Sequence, residues 1–381
     1  MNRIPTLRAL STTCILLAAA IGKPAWADDP LHIDSLRFLG AATLPNDLEV
    51  DHTLVGGLSG IDYDPKSGRW VMISDDKSDH APARFYLGHI DLADGAPKVS
   101  LEKAVTFLRP DGKPYPNDAA GGEVPDPEAI RFDAAGKTLW WASEGDRKLG
   151  LSPFMRESGL DGAYRGEMPM PPMFQIHKDR ELGPRHNLSF EGLSFTPSHA
   201  ALWLGMETAL YQDGSIATTD AGAVARFTKF DLQGHVLGQY AYPLDPIQRK
   251  PAGKHSDNGV SEVLALGDDR LLVVERSGVE GAGDHWTMYI RIYEADMAGA
   301  TDISTLPALA GAKYQPMQKH LILDLSKLPE LGSKALPFID NIEGASFGPT
   351  LPDGHQSLVL VSDNNFNPDQ ITQFLAFEIL P

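Results

Sequence analysis

Glu191-Gly192-Leu193-Ser194-Phe195, followed after a turn by Leu202-Trp203-Leu204-Gly205-Met206-Glu207, reads as two short strands. An acidic and a small residue lead into an apolar-x-aromatic run, and a second apolar run ends on an acid. Runs of this length bounded by turn residues are strands rather than helices. The plan occurs four more times. Ser59-Gly60-Ile61-Asp62-Tyr63 leads to Trp70-Val71-Met72-Ile73-Ser74-Asp75, and Glu128-Ala129-Ile130-Arg131-Phe132 leads to Leu139-Trp140-Trp141-Ala142-Ser143-Glu144. Glu262-Val263-Leu264-Ala265-Leu266 leads to Leu271-Leu272-Val273-Val274-Glu275, and Glu343-Gly344-Ala345-Ser346-Phe347 leads to Leu358-Val359-Leu360-Val361-Ser362-Asp363.

The starts lie 69, 63, 71 and 81 residues apart, room for a four-stranded sheet with loops in each unit. The expected fold is therefore all-β, a single β-propeller with five blades by repeat count. The longest interval, between Glu262 and Glu343, leaves room for a sixth. Independent β-sandwiches would also give short strands, but would not repeat an acid at one place in every unit. About 38 residues follow Glu343, too few for a whole blade, while the strand around 31–44 has no unit of its own. It is expected to supply the missing outer strand of the last blade and so close the ring. Residues 28–381 then form one domain, and a stretch at about 150–187, rich in Pro, Met, Gly and charge, is expected to cross the face of the ring as a long loop.

Arg3 and Arg8 precede an apolar run over about 9–21, and Ala25-Trp26-Ala27 fits a small-x-small cleavage site, so residues 1–27 read as a signal peptide and the protein as periplasmic or secreted. No stretch approaches the roughly 20 apolar residues of a membrane helix. The one cysteine, Cys14, falls in the leader, which excludes disulfides, Cys-ligated zinc and a cysteine nucleophile from the mature chain. Removing Arg3, Arg8 and Lys23 takes the formal charge from −18 to about −21. Such acidity argues against nucleic acid or anionic membrane as partner and favours divalent cations. A monomer acting on a small anionic or ester substrate is expected.

In a propeller the innermost strand of each blade lines the channel, so Glu128, Glu191, Glu262 and Glu343 should converge with Ser59. Crowded carboxylates repel unless protonated or bridged by a cation. Calcium, which accepts six to eight oxygens in flexible geometry, is the expected cofactor. Antiparallel pairing brings a second set, Asp75, Glu144, Glu207, Glu275 and Asp363, to the same edge. The candidate metal ligands are Glu128, Glu191, Glu262, Glu343, Glu207 and Asp363. The structural alternative is that the inner residues only hydrogen-bond the loop of the adjacent blade. Asp75, Asp76, Arg84 and Glu144 are candidate catalytic residues, and Arg84, Arg147 and Arg276 candidate substrate-binding forks for phosphate or carboxylate. The competing role for each arginine is to neutralise neighbouring acids. His80, His186 and His255 are further acid-base candidates. No EF-hand, phosphate loop or Gly-x-Ser-x-Gly elbow is present, and no serine stands out as a nucleophile.

Several blocks resemble one family. Gly57-Leu58-Ser59-Gly60-Ile61-Asp62-Tyr63-Asp64, Ile73-Ser74-Asp75-Asp76 and Ala81-Pro82-Ala83-Arg84-Phe85-Tyr86 are similar to the opening of the phytase-like domain, the esterase-like activity of phytase family. Asp126-Pro127-Glu128-Ala129-Ile130 with Ser143-Glu144-Gly145-Asp146, then Phe190-Glu191-Gly192-Leu193, resemble its next blocks. Asp340-Asn341-Ile342-Glu343-Gly344 with Ser362-Asp363-Asn364-Asn365-Phe366 resembles its closing block. The similarity runs from about Gly56 to the carboxyl end and departs at Ala129, where the family usually has Gly. It implies an exported bacterial propeller that hydrolyses esters or phosphate esters. In the β-propeller phytases calcium at the acidic end of the channel bridges substrate phosphate and activates water. The leading expectation is thus a calcium-dependent hydrolase of phosphate or carboxylic esters. The alternatives are a non-catalytic, calcium-stabilised propeller that binds a ligand or protein, and a calcium-dependent lactonase.

Overall fold

The computed structural model describes residues 31–282 and 285–381; the expected signal peptide, 1–27, lies outside the described residues. Strand β1 (Ser35–Leu44) and a small hairpin, β2 (Glu49–Val50) with β3 (Thr53–Leu54), precede the first blade. That blade is β4 (Leu58–Asp64), β5 (Arg69–Ser74), β6 (Arg84–Asp91) and β7 (Lys98–Thr106). The second is β8 (Pro127–Phe132), β9 (Thr138–Ser143), β10 (Phe154–Gly159) and β11 (Tyr164–Glu167). The third is β12 (Phe190–Phe195), β13 (Ala201–Met206), β14 (Ala223–Asp231) and β15 (Val236–Leu244). The fourth is β16 (Gly259–Ala265), β17 (Arg270–Glu280), β18 (Trp286–Asp296) and β19 (Gln318–Asp324). The fifth combines β20 (Asn341–Thr350), β21 (Gln356–Asp363) and β22 (Thr372–Leu380) with β1.

The protein is a five-bladed propeller, and no α-helix occurs among the described residues. Among the described residues no helix is long and apolar enough to cross a membrane. The long fourth interval holds no further blade. Its length goes into the extended β17–β18 ladder, paired from Arg270↔Asp296 to Glu280↔Trp286, and into the loop before β19. Closure follows the expected route: β1 pairs with β22 from Ser35↔Leu380 to Leu44↔Thr372. Arg37 stands opposite Glu378 and pairs with it across that seam. The stretch at 150–187 differs from the expected long loop. Its first part forms β10 and β11, the outer strands of blade two, and only the remainder runs irregularly toward the rim.

Successive side chains of a strand point to opposite faces, and in a propeller both faces of each sheet meet another blade. This explains the continuous apolar runs. In β5, Val71 and Ile73 pack with Ile130, Leu139 and Trp141 of blade two, whereas Trp70 and Met72 pack with Val359, Val361 and Phe374 of blade five. The inner strands approach so closely that side chains are excluded at two glycines. A Cβ on Gly192 would lie 2.6 Å from the Val263 nitrogen, and one on Gly344 2.9 Å from the Gly60 Cα.

Candidate metal centre at the channel rim

Every inner strand changes register as it enters from the rim. The shifts fall at Leu58/Gly60, Pro127/Ile130, Phe190/Gly192, Val260/Glu262 and Ile342/Gly344. A bulge adds one residue and re-aims its side chain. The residues so turned out are Ser59, Glu128, Glu191, Ser261 and Glu343. On the facing strand, pairing of Leu58↔Ser74, Pro127↔Ser143, Phe190↔Met206, Val260↔Glu275 and Ile342↔Ser362 puts Asp75, Glu144, Glu207, Arg276 and Asp363 next in line.

Blade four therefore departs from the expected ring. Its rim residues are Ser261 and Arg276, each one position from the Glu262 and Glu275 read from sequence. A one-residue slip sends a side chain to the other face. Glu262 stands at the place of Gly60, Gly192 and Gly344. Its carboxylate meets Arg131 at 2.6 Å and accepts from the Val263 and Leu193 N–H groups at 2.9 and 3.2 Å. Burial pushes its carboxyl up, to about 7, against the pull of Arg131 and these donors. Glu275 turns toward the seam between blades three and four, where Tyr242 donates to it at 2.7 Å, Asn258 at 3.1 Å, and Lys319 pairs with it. Neither glutamate belongs to the rim groupings.

The other expected ligands do come together. Asp75, Glu343 and Asp363 offer oxygens all within 4.8 Å of one another; so do Asp126, Glu128 and Glu144, and also Glu144, Glu191 and Glu207. Glu144 belongs to two groupings, and its Oε2 is buried without a hydrogen-bond partner, as is the Asn341 Oδ1 nearby. Its Oε1 accepts from the Ser189 N–H at 2.5 Å. Gly57 makes room for Asp75: its φ is 64°, and a Cβ there would lie 2.0 Å from the Asp75 Oδ1. A further acidic trio, Asp353, His355 and Glu378, lies at the closing seam, where Glu378 is engaged by Arg37.

Burial, followed by mutual repulsion, holds the carboxyls of Asp75, Glu128 and Glu191 well above the usual range, and burial does the same for Glu207 against the pull of Arg276. Asp363 is raised in the same way, and Glu343 is raised by burial against the pull of Arg276. Asp126 is pushed to about 6 and Glu144 to about 8, burial leading in both. Crowded acids behave this way when nothing balances them. The donor set is all oxygen, which suits a hard cation of the calcium type and not zinc or copper.

Two cations of the chain reach this end. Arg276 Nη2 lies 3.4 Å from Glu207 and 3.7 Å from Glu343. Lys77 Nζ lies 2.5 Å from Asp126 and 3.0 Å from the Asn187 Oδ1. The sequence reading left out Lys77 and Asp126 as site residues. Their signal was Asp75-Asp76-Lys77 and the acid two residues before Glu128.

Three nominated residues are occupied elsewhere. Arg84 is buried, 2.6 Å from Asp76 and 2.6 Å from the Tyr86 hydroxyl, and donates to the Leu54 carbonyl at 2.9 Å. Asp76 also accepts from the N–H groups of Asp79, His80 and Ala81. Together they fix the 75–84 loop. Arg147 donates to the carbonyls of His177, Arg180, Leu182 and Pro184, pinning the segment before Asn187. Of the histidines, His80 stacks on Phe366 at 4.1 Å, His255 is exposed, and His186 has its pKa lowered by burial and by Lys148.

Fold and rim together define a five-bladed propeller with an acidic, all-oxygen centre at one end of its channel. The family model described as "Phytase-like: Esterase-like activity of phytase" matches residues 53–366. The chain belongs to that family. Among solved structures it is similar to the catalytic domain of Coprinopsis cinerea GH62 α-L-arabinofuranosidase, with 11% identity over 91% of this chain and 98% of that chain and a TM-score of 0.43. It is also similar to the Pseudomonas aeruginosa periplasmic gluconolactonase PpgL, with 12% identity over 86% of this chain and 90% of that chain and a TM-score of 0.36. Likenesses this distant carry no argument about activity. No curated protein matches the chain.

Proposed function

We propose that the protein is a metal-dependent hydrolase of phosphate or carboxylic esters, with calcium held at the acidic rim and the exported chain working outside the cytoplasm. The observation that carries this is the gathering of Asp75, Asp126, Glu128, Glu144, Glu191, Glu207, Glu343 and Asp363 into three all-oxygen groupings, two of which share Glu144. Family membership supports an ester substrate.

In this reading Asp75, Glu343 and Asp363 hold one ion, and Glu144, Glu191 and Glu207 a second. Ions bound there supply Lewis acidity and neutralise the charge of an anionic ester. Asp75 and Glu144 thus hold metal and do not attack substrate. Arg276, the cation of the outer ring, is placed to offer its guanidinium fork to ester oxygens. Asp76 and Arg84 orient the loop that carries Asp75, and Arg147 orients the segment facing it. No nucleophile with an adjacent base stands among the described rim residues, so water is the attacking group.

The test is turnover of p-nitrophenyl phosphate, bis-p-nitrophenyl phosphate, phytate and p-nitrophenyl acetate by the mature protein, with calcium and with chelator. Calcium-dependent turnover of at least one is expected. Calcium binding without turnover of any would refute hydrolysis and favour a ligand-binding propeller.

A further inference from the structure

Of the two rim cations, Lys77 makes the shorter contact with a carboxylate and Arg276 is the more buried. The Lys77 ammonium lies 2.5 Å from Asp126 Oδ2 and 3.0 Å from the Asn187 Oδ1, at the Asp126 side of the grouping formed by Asp126, Glu128 and Glu144. A lysine ammonium is a compact point charge that can stand where a small cation would. Arg276 makes longer contacts. It reaches one member of each of the other two, Glu207 and Glu343, at 3.4 and 3.7 Å.

The lysine is placed by the fold. Asp76, directly before it, is buried and accepts from the N–H groups of Asp79, His80 and Ala81 at 2.7, 3.1 and 3.0 Å while pairing with Arg84. Ser78, directly after it, has φ of 64° and accepts from the Ala83 N–H. The backbone on both sides is therefore pinned and the side chain is aimed from a rigid turn. The side chain nevertheless keeps 30% of its surface exposed, so the ammonium can swing to solvent while the turn stays in place.

We propose that Lys77 is a tethered cation that, by pairing with Asp126, withholds that carboxylate from the Asp126–Glu128–Glu144 grouping, leaving the other two rim groupings open to divalent ions and admitting a third ion only when the lysine is displaced. This rests on the metal-holding reading of the rim. The lysine then sets how many ions the rim takes at a given calcium concentration, and it keeps Glu144 available to the neighbouring grouping with Glu191 and Glu207.

Calorimetric titration of calcium into the metal-free mature protein tests the proposal, comparing wild type with Lys77→Met, Lys77→Arg and Lys148→Met. Lys148 is an exposed lysine nearby and controls for the loss of one positive charge. Lys77→Met is expected to bind one additional ion per chain, or to bind calcium at least tenfold more tightly, while Lys77→Arg and Lys148→Met follow wild type. Melting curves without metal establish that each variant is folded, and Lys77→Gln replaces Lys77→Met if the latter is not. If wild type and Lys77→Met bind calcium with the same stoichiometry and affinity, or if Lys148→Met gains as much, the tethered-cation proposal is overturned and the metal centre stands. If no variant binds calcium, the metal reading itself fails.

Discussion

Replacing Glu262 by Ala separates the two roles a channel glutamate can play. The side chain is buried, meets Arg131 at 2.6 Å and accepts from two backbone N–H groups within 3.2 Å. Arg131 is itself buried; its Nη1 donates to the carbonyls of Ile61 and Ile130 and its Nη2 to that of Ala345. Deleting the carboxylate leaves a buried guanidinium without the only carboxylate in ion-pair contact with it among the described residues, Asp62 acting on it from farther off. Removing one partner of a buried pair costs about 3–5 kcal/mol, a large share of the roughly 5–15 kcal/mol that holds a typical domain together. At pH 8, above the value near 7 to which burial raises Glu262, chemical denaturation of the metal-free Glu262→Ala protein should show a loss in that range. Calcium stoichiometry should not change. Exchanging the pair together, Arg131→Met with Glu262→Leu, should recover most of the loss, because the unpaired charge goes with the carboxylate. Glu191→Gln should do the reverse. It relieves repulsion in a crowded grouping, so the metal-free fold is no less stable, while calcium binds at least tenfold more weakly. A Glu262→Ala protein as stable as wild type, or one that loses calcium as Glu191→Gln does, would refute the assignment of Glu262 to the channel and not the rim.

The raised carboxyls set a pH dependence: with Asp126 near 6 and Glu144 near 8, the folded metal-free chain binds more protons than the unfolded chain between about pH 4 and 8. Its melting temperature should therefore fall as pH rises through that window, and calcium should offset the fall increasingly toward pH 8; a flat metal-free profile would contradict the crowding. Deleting residues through Leu44 removes β1 and its whole ladder with β22, exposing the edge of blade five and the buried Glu378. Loss of cooperative unfolding, or aggregation, is the expected result by calorimetry and light scattering, and a truncated chain that melts like the full one would show that β1 does not close the ring.

The sequence by itself determined the repeat, a count of five blades with room for a sixth, the closing strand and the end of the channel at which acids gather. Each is carried by local pattern: short apolar runs, their spacing, an amino-terminal strand left without a unit, and an acid at the same step of successive units. Tertiary structure decided which acids face one another. In blade four the acids of Val260-Ser261-Glu262 and Val274-Glu275-Arg276 fall one step from the rim positions, and aligning units by their acids hides this, because a bulge is silent in sequence while a single-residue slip reverses every side chain. The arginines divided for a similar reason. Arg84 and Arg147 lie as near the rim in sequence as Arg276 does, yet buried Asp76 claims one and four carbonyls of the 177–184 segment claim the other, partners separated along the chain and joined only by folding. Lys77 and Asp126 are 49 positions apart, and only the approach of blades one and two makes them a pair.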